Sequence, residues 1–301
     1  MGTTGFAVMV LERLASSPHR PTLVVTRPDR PRGRGRRLQS TPVAQAACTL
    51  GIELDQPDEV NGAQARERMA AARPEAVCIC AYGALIREPL LSGHRMLNVH
   101  PSLLPRWRGA APIERAIAAG DSETGVSIMR PVAELDAGPL LLQRAEPIRA
   151  DDDYGALASR LAALAGELLV EVLDTEPEER PQPCEGLTYA AKVERAERRL
   201  DPARTPAELE RAVRALTPHI GAYVEPEGGE RLGVRRAAPA AAADPAPAAG
   251  RLEAREGRLL LGAAGGALEL LEVQPSGGRP MEAGAYLRGR VSAERQGAAG
   301  G

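Results

Sequence analysis

Residues 96–113 read MLNVHPSLLPRWRGAAPI, an apolar run that ends in Asn98 and His100 and passes into a proline-bounded loop and a short helical stretch. Asn98 and His100 are two residues apart, so on an extended strand their side chains project to the same face. An amide beside an imidazole at a strand end can handle a carbonyl group, because one can hydrogen-bond an oxyanion while the other moves a proton. The spacing fits a buried strand end with two hydrogen-bonded polar side chains equally well.

On both sides of this stretch, short apolar runs alternate with helical patterns through the first 180 residues or so. The alternation predicts an α/β fold with a doubly wound, mostly parallel sheet. Ligands of such sheets bind beyond the carboxyl ends of the strands, where Asn98 and His100 lie. The predicted strands are 23–25, 76–82, 96–100 and 124–129, and the predicted helices include 43–50, 63–72 and one that follows Asp151–Asp153.

The start of the chain departs from this pattern. Residues 2–6 resemble the turn after a first strand, and residues 6–14 resemble the helix that follows it, but no strand precedes them. The first strand of a doubly wound sheet is usually central, so its loss predicts a gap flanked by unpaired backbone groups. We therefore expect that the coding start was placed too late; the alternative is a chance resemblance to a turn.

A second unit is predicted from residue 205. Thr205-Pro-Ala-Glu208 has the pattern of a capping box with proline at the first helical position. Short strand-like runs with glycine-rich turns follow at 222–225, 231–234, 251–254, 258–261 and 267–273, which is typical of a small β-barrel, here expected to be OB-like. The predicted organisation is therefore a first domain over 1–183, a linker over 184–204 and a barrel over 205–301.

Composition narrows the classes of function. The formal net charge is −2, so the chain is not a globally basic nucleic-acid binder, and any RNA contact must come from a local patch. The four cysteines show neither a disulfide framework nor zinc-ligand spacing, and Cys78 and Cys80 are predicted to be small core residues. No apolar run reaches membrane-spanning length, and no basic region precedes an apolar one at the N-terminus. We expect a cytoplasmic protein without a membrane contact.

Several motifs together resemble a known family. Residues 98–113, with Thr124-Gly-Val-Ser-Ile-Met129 and Leu135-Asp-Ala-Gly138 downstream, are similar to the 10-formyltetrahydrofolate-dependent formyltransferases. The resemblance covers almost the whole chain, through Arg27-Pro-Asp-Arg-Pro early on and Gln274-Pro-Ser-Gly near the end. The Pro105-Arg-Trp-Arg-Gly-Ala-Ala-Pro segment and an arginine-rich early loop resemble the tRNA-directed members of the family.

The resemblance implies a catalytic trio of Asn98, His100 and Asp136. It also implies the reaction: transfer of the formyl group of 10-formyltetrahydrofolate to the α-amine of methionine on charged initiator tRNA, for translation initiation. Asn98 would donate to the oxyanion, His100 would share that task or relay a proton, and Asp136 would orient His100 and accept the proton. Taken alone, Asp136 is typical of a turn residue before Gly138.

The resemblance further implies a slot for the flat pterin ring of the folate, made of backbone and apolar groups. Its walls would be residues 82–86 and 132–136, and residues 102–105 would form the loop at its mouth. Ordinary core packing is the alternative for Leu103 and Leu104. No metal is expected. The folate-binding residues predicted in this way are Tyr82, Gly83, Leu85, Ile86, Ser102, Leu103, Leu104, Pro105 and Val132.

Residues 27–37 carry six arginines against a single acidic residue, Asp29, with two interleaved glycines. A run of charge is usually a solvated face. Here its position after the second strand resembles the family's insertion loop, which implies contact with the acceptor stem of the tRNA, and arginine suits phosphate and base-edge contacts. The expected partners are initiator Met-tRNA and the folate, bound by a monomer. The residues predicted to contact tRNA are Arg27, Arg30, Arg32, Arg34, Arg36, Arg37 and Lys192.

Two other functions remain open at the level of sequence. A formyltransferase of the same fold could act on an amino sugar nucleotide or another small amine, although such an acceptor needs neither the arginine loop nor the barrel. A non-catalytic RNA-binding relic is a different class, suggested by the missing first strand. The intact Asn98, His100 and Asp136 argue against decay.

Overall fold

A computed structural model of the protein describes residues 1–32, 37–226, 229–241 and 245–289. Residue contacts divide the chain into two units, each compact in itself. Unit 1 comprises 1–112, 123–147 and 158–191, and unit 2 comprises 113–122, 148–157 and 192–301. The predicted boundaries at 183 and 205 stay a prediction.

The helices and strands that the sequence predicts are present, and further elements accompany them. The helices are α1 Gly5–Ala15, α2 Pro42–Leu50, α3 Ala63–Ala71, α4 Leu90–Gly93, α5 Pro112–Ala119, α6 Tyr154–Thr175 and α7 Pro206–Leu216, with further helical residues at 283–289. The strands are β1 Leu23–Val25, β2 Arg30–Arg32, β3 Arg37–Gln39, β4 Glu53–Asp55, β5 Val77–Cys80, β6 Met96–His100, β7 Arg108–Gly109, β8 Glu123–Met129, β9 Leu140–Pro147, β10 Tyr189–Ala190, β11 Ala222–Val224, β12 Leu232–Pro239, β13 Leu252–Arg255, β14 Arg258–Ala263, β15 Gly266–Pro275 and β16 Met281–Glu282.

Local signals explain where the helices begin and end. The Thr41 side chain accepts a hydrogen bond from Ala44 N–H at the start of α2, and Gly51 ends that helix in the left-handed conformation. The capping box predicted at Thr205 is present, with Thr205 and Glu208 bonded reciprocally. The helix predicted after Asp151–Asp153 is α6, of 22 residues.

In unit 1, β1 and β4 form a two-stranded sheet and β5, β6, β8 and β9 form a four-stranded mixed sheet, so the prediction of a mostly parallel sheet is wrong for β8 and β9. β1 pairs with β4 and β5 pairs with β6 in parallel, whereas β8 runs antiparallel to both β6 and β9. The run 124–129 contains no charged residue, which is typical of a parallel strand buried on both faces. Burial on both faces is observed, but strand direction does not follow from it.

Residues 1 and 2 lie between β1 and β5. Gly2 N–H donates to Val25 O at 3.1 Å, and Cys80 N–H donates to Met1 O at 2.9 Å. A cavity of about 440 Å³ adjoins them, lined largely by β1, α1 and the residues before β5, where the sequence predicts a gap. Burial lowers the pKa of the Met1 ammonium, which donates to Cys78 O at 2.6 Å.

The cysteines of β5 behave as core residues, as predicted. Cys80 is buried, Cys78 is partly buried, and both are free thiols. Burial raises the pKa of the Cys80 thiol to about 12, so it stays protonated and unreactive at neutral pH. The apolar cluster beside them includes Val25, Met69, Ile79, Tyr82, Ile86 and Met96.

Unit 2 contains an antiparallel sheet with the strand order β11-β12-β15-β14-β13, and β16 pairs with β15. Between the two outer strands of that order, β11 and β13, no pairing is found within the described residues, so the predicted closure into a barrel stays a prediction. Its core packs one face of α7 against the strands, through residues such as Leu209, Val213, Leu232, Val234, Leu268 and Val273.

A membrane-spanning element was sought along the described ranges. No helix in them combines the length and the apolar character that crossing a bilayer requires.

Candidate active site

Strand β6 positions the first two site residues. Asn98 lies opposite Ile79 of β5 and Met129 of β8, and His100 lies opposite Ser127 of β8. Both neighbours are apolar strands, so the end of β6 is held in a rigid sheet. His100 is 4% exposed and Asn98 is half-buried. The strand therefore presents both polar side chains to one face, as the spacing predicts.

Asp136 joins this pair from the loop between β8 and β9. Its Oδ1 is 3.5 Å from Asn98 Nδ2, and its Oδ2 is 3.5 Å from His100 Nδ1. The backbone N–H of Gly109 donates to the same Oδ2 at 2.9 Å. The backbone of Asp136 is in the left-handed region, with φ of +48°. The structure thus brings together the three residues predicted to be catalytic.

The contacts of the His100 ring define which nitrogen carries a proton. Nε2 lies 2.8 Å from the Trp107 carbonyl oxygen, and a carbonyl only accepts, so Nε2 donates. In the neutral ring Nδ1 is then a lone pair that faces the Asp136 carboxyl. The Nδ1 lone pair and the Asp136 Oδ2 are both hydrogen-bond acceptors, and they lie 3.5 Å apart. A single proton can bind between them, so His100 and Asp136 together are arranged to receive a proton.

The loop after β6 is fixed by a short strand pair that sequence reasoning missed. β7 pairs with β10 in parallel, Arg108 opposite Tyr189 and Gly109 opposite Ala190. Trp107 N–H also donates to Thr188 Oγ1 at 2.9 Å. This pairing aims the Gly109 N–H and the Trp107 carbonyl at Asp136 and His100. A backbone group leaves no residue-type signal in the sequence, so neither contact could be read from it.

The residues predicted to line the folate slot lie in the loop after β5, in the loop after β6 and, for Val132, in the loop between β8 and β9. Tyr82 and Ile86 are buried, and burial raises the pKa of the Tyr82 phenol although the charge of Arg27 opposes the rise. Gly83 has φ of +77°, and Leu85 is 53% exposed. Asn61, which the sequence did not single out, pins the loop after β5: its Nδ2 donates to Leu85 O at 2.9 Å.

The loop after β6 contains the predicted mouth, residues 102–105. The Ser102 hydroxyl is buried and donates to Arg106 O at 2.6 Å. Leu104 is buried with Met129 and Leu140, which is the core packing considered as the alternative. Pro105 is buried as well, whereas Leu103 and Val132 are partly exposed. The backbone of this loop is engaged as well: Ser102 N–H donates to His100 O, Leu104 N–H donates to Ser127 Oγ, and Thr188 N–H donates to Pro105 O.

The described residues of the arginine run form the two strands of a β-hairpin, and its interleaved glycines lie outside the described residues. β2 and β3 pair antiparallel, with Arg30 opposite Gln39 and Arg32 opposite Arg37, and Arg34 and Arg36 fall outside the described residues. Asp29 anchors the base, because Gln56 Nε2 and Ser40 Oγ both donate to it at 2.8 Å. These two hydrogen bonds lower the pKa of the Asp29 carboxyl.

The two arginines at the base of the hairpin differ in exposure. Arg27 is half-buried and its carbonyl accepts from Gln56 Nε2 at 3.0 Å, while Arg30 is exposed. Lys192 lies in unit 2, where it is exposed and its carbonyl accepts from Arg115 Nη2 at 3.3 Å.

A metal centre was sought as well. No cluster of three or more His, Cys, Asp or Glu side chains among the described residues could hold an ion.

Two family profiles match the chain and together span both units. The formyl transferase profile matches residues 1–173, and the profile of the formyl transferase C-terminal domain matches residues 192–291. The first covers more than half of the chain and includes all three clustered residues. The chain therefore belongs to the formyl transferase family.

Full-length relatives narrow this class. The methionyl-tRNA formyltransferase of Halorhodospira halophila is 44% identical over 296 residues, which is 96% of this chain and 94% of that protein. The methionyl-tRNA formyltransferase of Methylococcus capsulatus is 43% identical and covers 98% and 97% of the two chains. The chain is thus a member of the methionyl-tRNA formyltransferases.

Solved structures support the fold. An N-formyltransferase from Helicobacter canadensis, in complex with folinic acid and dTDP-3-aminofucose, superposes with a TM-score of 0.64 at 14% identity, over 89% of this chain and 96% of that one. HypX from Aquifex aeolicus in complex with tetrahydrofolic acid gives 0.59 at 20% identity, over 80% and 44%. At these identities the likeness concerns the fold alone.

Proposed function

We propose that the protein transfers the formyl group of 10-formyltetrahydrofolate to the α-amine of methionine on charged initiator tRNA, with Asn98, His100 and Asp136 as its catalytic residues. The observation that carries this proposal is the convergence of the three side chains at the end of β6, where the Asp136 carboxyl lies 3.5 Å from both of the others. Family membership supports the reaction, and the geometry supports the roles.

The amine needs little activation. An α-amine has a pKa of roughly 7.7–8.0, so a useful fraction is neutral near pH 7.5. Its nitrogen attacks the formyl carbon and forms the new C–N bond, which leaves a tetrahedral oxyanion and a positively charged nitrogen. The oxyanion must be stabilised and the nitrogen must lose a proton before the bond to the folate N10 breaks, with a proton delivered to N10.

Each catalytic residue has one task in this sequence. The Asn98 amide donates to the oxyanion, a contact strongest in the transition state. The His100–Asp136 pair takes the proton from the amine nitrogen, because the His100 lone pair and the carboxylate face one another. The donation from Gly109 N–H keeps the Asp136 carboxyl oriented toward the ring.

In the direct test, the purified protein is incubated with charged initiator tRNA and 10-formyltetrahydrofolate. Formyl-Met-tRNA is then measured on acid gels. We expect product that depends on both substrates. An amino sugar nucleotide offered as the acceptor should give none. Absence of formyl-Met-tRNA with retained tRNA binding would instead indicate the non-catalytic RNA-binding protein, and product on the amino sugar would indicate the small-acceptor enzyme.

The hairpin of β2 and β3 is assigned to the tRNA because of its charge and exposure. Arg30→Ala and Arg34→Ala should each raise the KM for tRNA and reduce the salt slope of tRNA binding by about 1 for each phosphate that is no longer neutralised. The KM for folate should stay unchanged. Arg66→Ala, which removes one positive charge from α3, is the matched control. An effect confined to the folate KM contradicts the assignment of the hairpin.

Other parts of the proposal are coarser. Residues 1–183 would form the catalytic domain and 205–301 the tRNA-binding domain, joined by the linker 184–204, and the C-terminal sheet would close into an OB-like barrel. The same proposal has the protein working as a cytoplasmic monomer. Titration of a 205–301 fragment with tRNA tests the assignment of the tRNA-binding domain. The molar mass of the full chain, measured by light scattering, tests the monomer.

A further inference from the structure

The position of Asp136 depends on a loop that must be held. The loop leaves β8 at Met129 and enters β9 at Leu140, and Asp136 within it adopts φ of +48°. Residues other than glycine rarely occupy this region unless their surroundings fix them. The 3.5 Å separations of its carboxyl oxygens from Asn98 and His100 are too long to provide that fixation.

The side chain of Gln182 holds the backbone of this loop. Its Nε2 donates to the carbonyl oxygens of Asp136 at 2.7 Å and of Gly138 at 2.8 Å. Carbonyls only accept, so the orientation of the amide is fixed with its nitrogen toward the loop. The segment that carries Gln182 is itself anchored, because Arg180 and Leu140 exchange two backbone hydrogen bonds of 2.8 and 2.7 Å.

Arg108 completes the arrangement from the opposite side. Its Nε and Nη2 donate to Gln182 Oε1 at 3.0 and 2.8 Å, and its side chain is almost entirely buried. The next residue, Gly109, donates its N–H to the Asp136 carboxylate. Strand β7 therefore acts on Asp136 twice: directly on the carboxylate, and through Gln182 on the backbone.

We infer that Gln182 is a positioning residue for formyl transfer: with Arg108, it sets where the Asp136 carboxylate stands relative to His100 and Asn98. This inference rests on the proposed function. Gln182 fixes the backbone and leaves the carboxylate free to close the 3.5 Å gaps when substrates bind. In unliganded enzymes such catalytic hydrogen bonds are often long and tighten only in the reacting complex. Gln182 and its anchor Arg180 are therefore part of the active-site architecture, not a passive connection.

Two substitutions separate the parts of this contact. Gln182→Glu keeps the size and the acceptor for Arg108 but loses both N–H donors to the loop, while Gln182→Leu loses donors and acceptor. Both variants should lower kcat about tenfold and leave the KM of both substrates unchanged. This loss is smaller than the ~10²-fold loss of rate that a 1 Å misplacement of a catalytic group can cause. Glu179→Gln, which breaks the ion pair with Arg130 in the same segment, is the matched control and should keep kcat.

A double-variant comparison distinguishes positioning from general loosening. Added to Asp136→Asn, either Gln182 change should cost little further in kcat, because the group that it positions has gone. Unchanged kcat in both Gln182 variants, or an undiminished loss in the Asp136→Asn background, would overturn the inference. If instead Asp136→Asn itself keeps its turnover, the proposed catalytic role of Asp136 is contradicted. This result differs from the results that contradict the positioning role of Gln182, so the two failures can be distinguished.

Discussion

Asp136→Asn is expected to lower kcat for formyl-Met-tRNA formation by about 10²–10⁴-fold, the usual contribution of a positioned proton acceptor. The amide has the shape of the carboxyl group, so it can still accept the hydrogen bond from Gly109 N–H. What it loses is the charge and the ability to take a proton. The amine nitrogen would then have only the His100 ring, without the carboxylate beside it, as an acceptor.

The measurement is a single-turnover rate with saturating substrates, so that product release does not hide the chemical step. Binding of tRNA and folate and the melting temperature should match those of the unchanged protein. Retained single-turnover activity would remove Asp136 from the catalytic role.

Much of the fold was readable from the sequence because local patterns and tertiary burial agree. The period of two places Asn98 and His100 on one face of β6, and the capping box at Thr205 fixes the start of α7. The direction of β8 was not readable, since a strand buried on both faces has the same apolar run whether it is parallel or antiparallel.

Elements with mixed exposure were missed for a different reason. β9 is buried at its first two residues and mostly exposed beyond them, so it shows neither alternation nor a long apolar run. Three of the six residues of the hairpin strands β2 and β3 are arginine, and a run of arginine is typical of a solvated loop. Their pairing depends on backbone hydrogen bonds and on the anchor at Asp29, a contact with Gln56 that lies 27 residues away.

The residues of the candidate site also divide into those that the sequence pattern indicates and those that only the folded chain reveals. Asn98 and His100 could be proposed from spacing, but Asp136 lies 38 residues beyond Asn98 and enters only because a loop folds back on β6. Gln182 had no signal, because a glutamine between prolines is typical of an exposed linker. Its role depends on three backbone and side-chain partners that only the folded chain brings together.

Asn98→Ala is expected to lower kcat by about 10²–10³-fold with little change in either KM, because the amide is proposed to donate mainly to the oxyanion of the transition state. Asn98→Asp is the companion variant. It keeps the size but replaces the donor with a second carboxylate beside Asp136 and should be at least as damaging, since the added charge opposes the oxyanion.

The competing explanation is that Asn98 acts only by holding Asp136 Oδ1, the atom 3.5 Å from its Nδ2. The double variant Asn98→Ala with Asp136→Asn separates the two roles, because a residue that works only through Asp136 adds nothing once the carboxylate is gone. An oxyanion donor still matters there, so the double variant should be at least about tenfold slower than Asp136→Asn alone. Equal rates would assign Asn98 to positioning and leave the oxyanion to another donor.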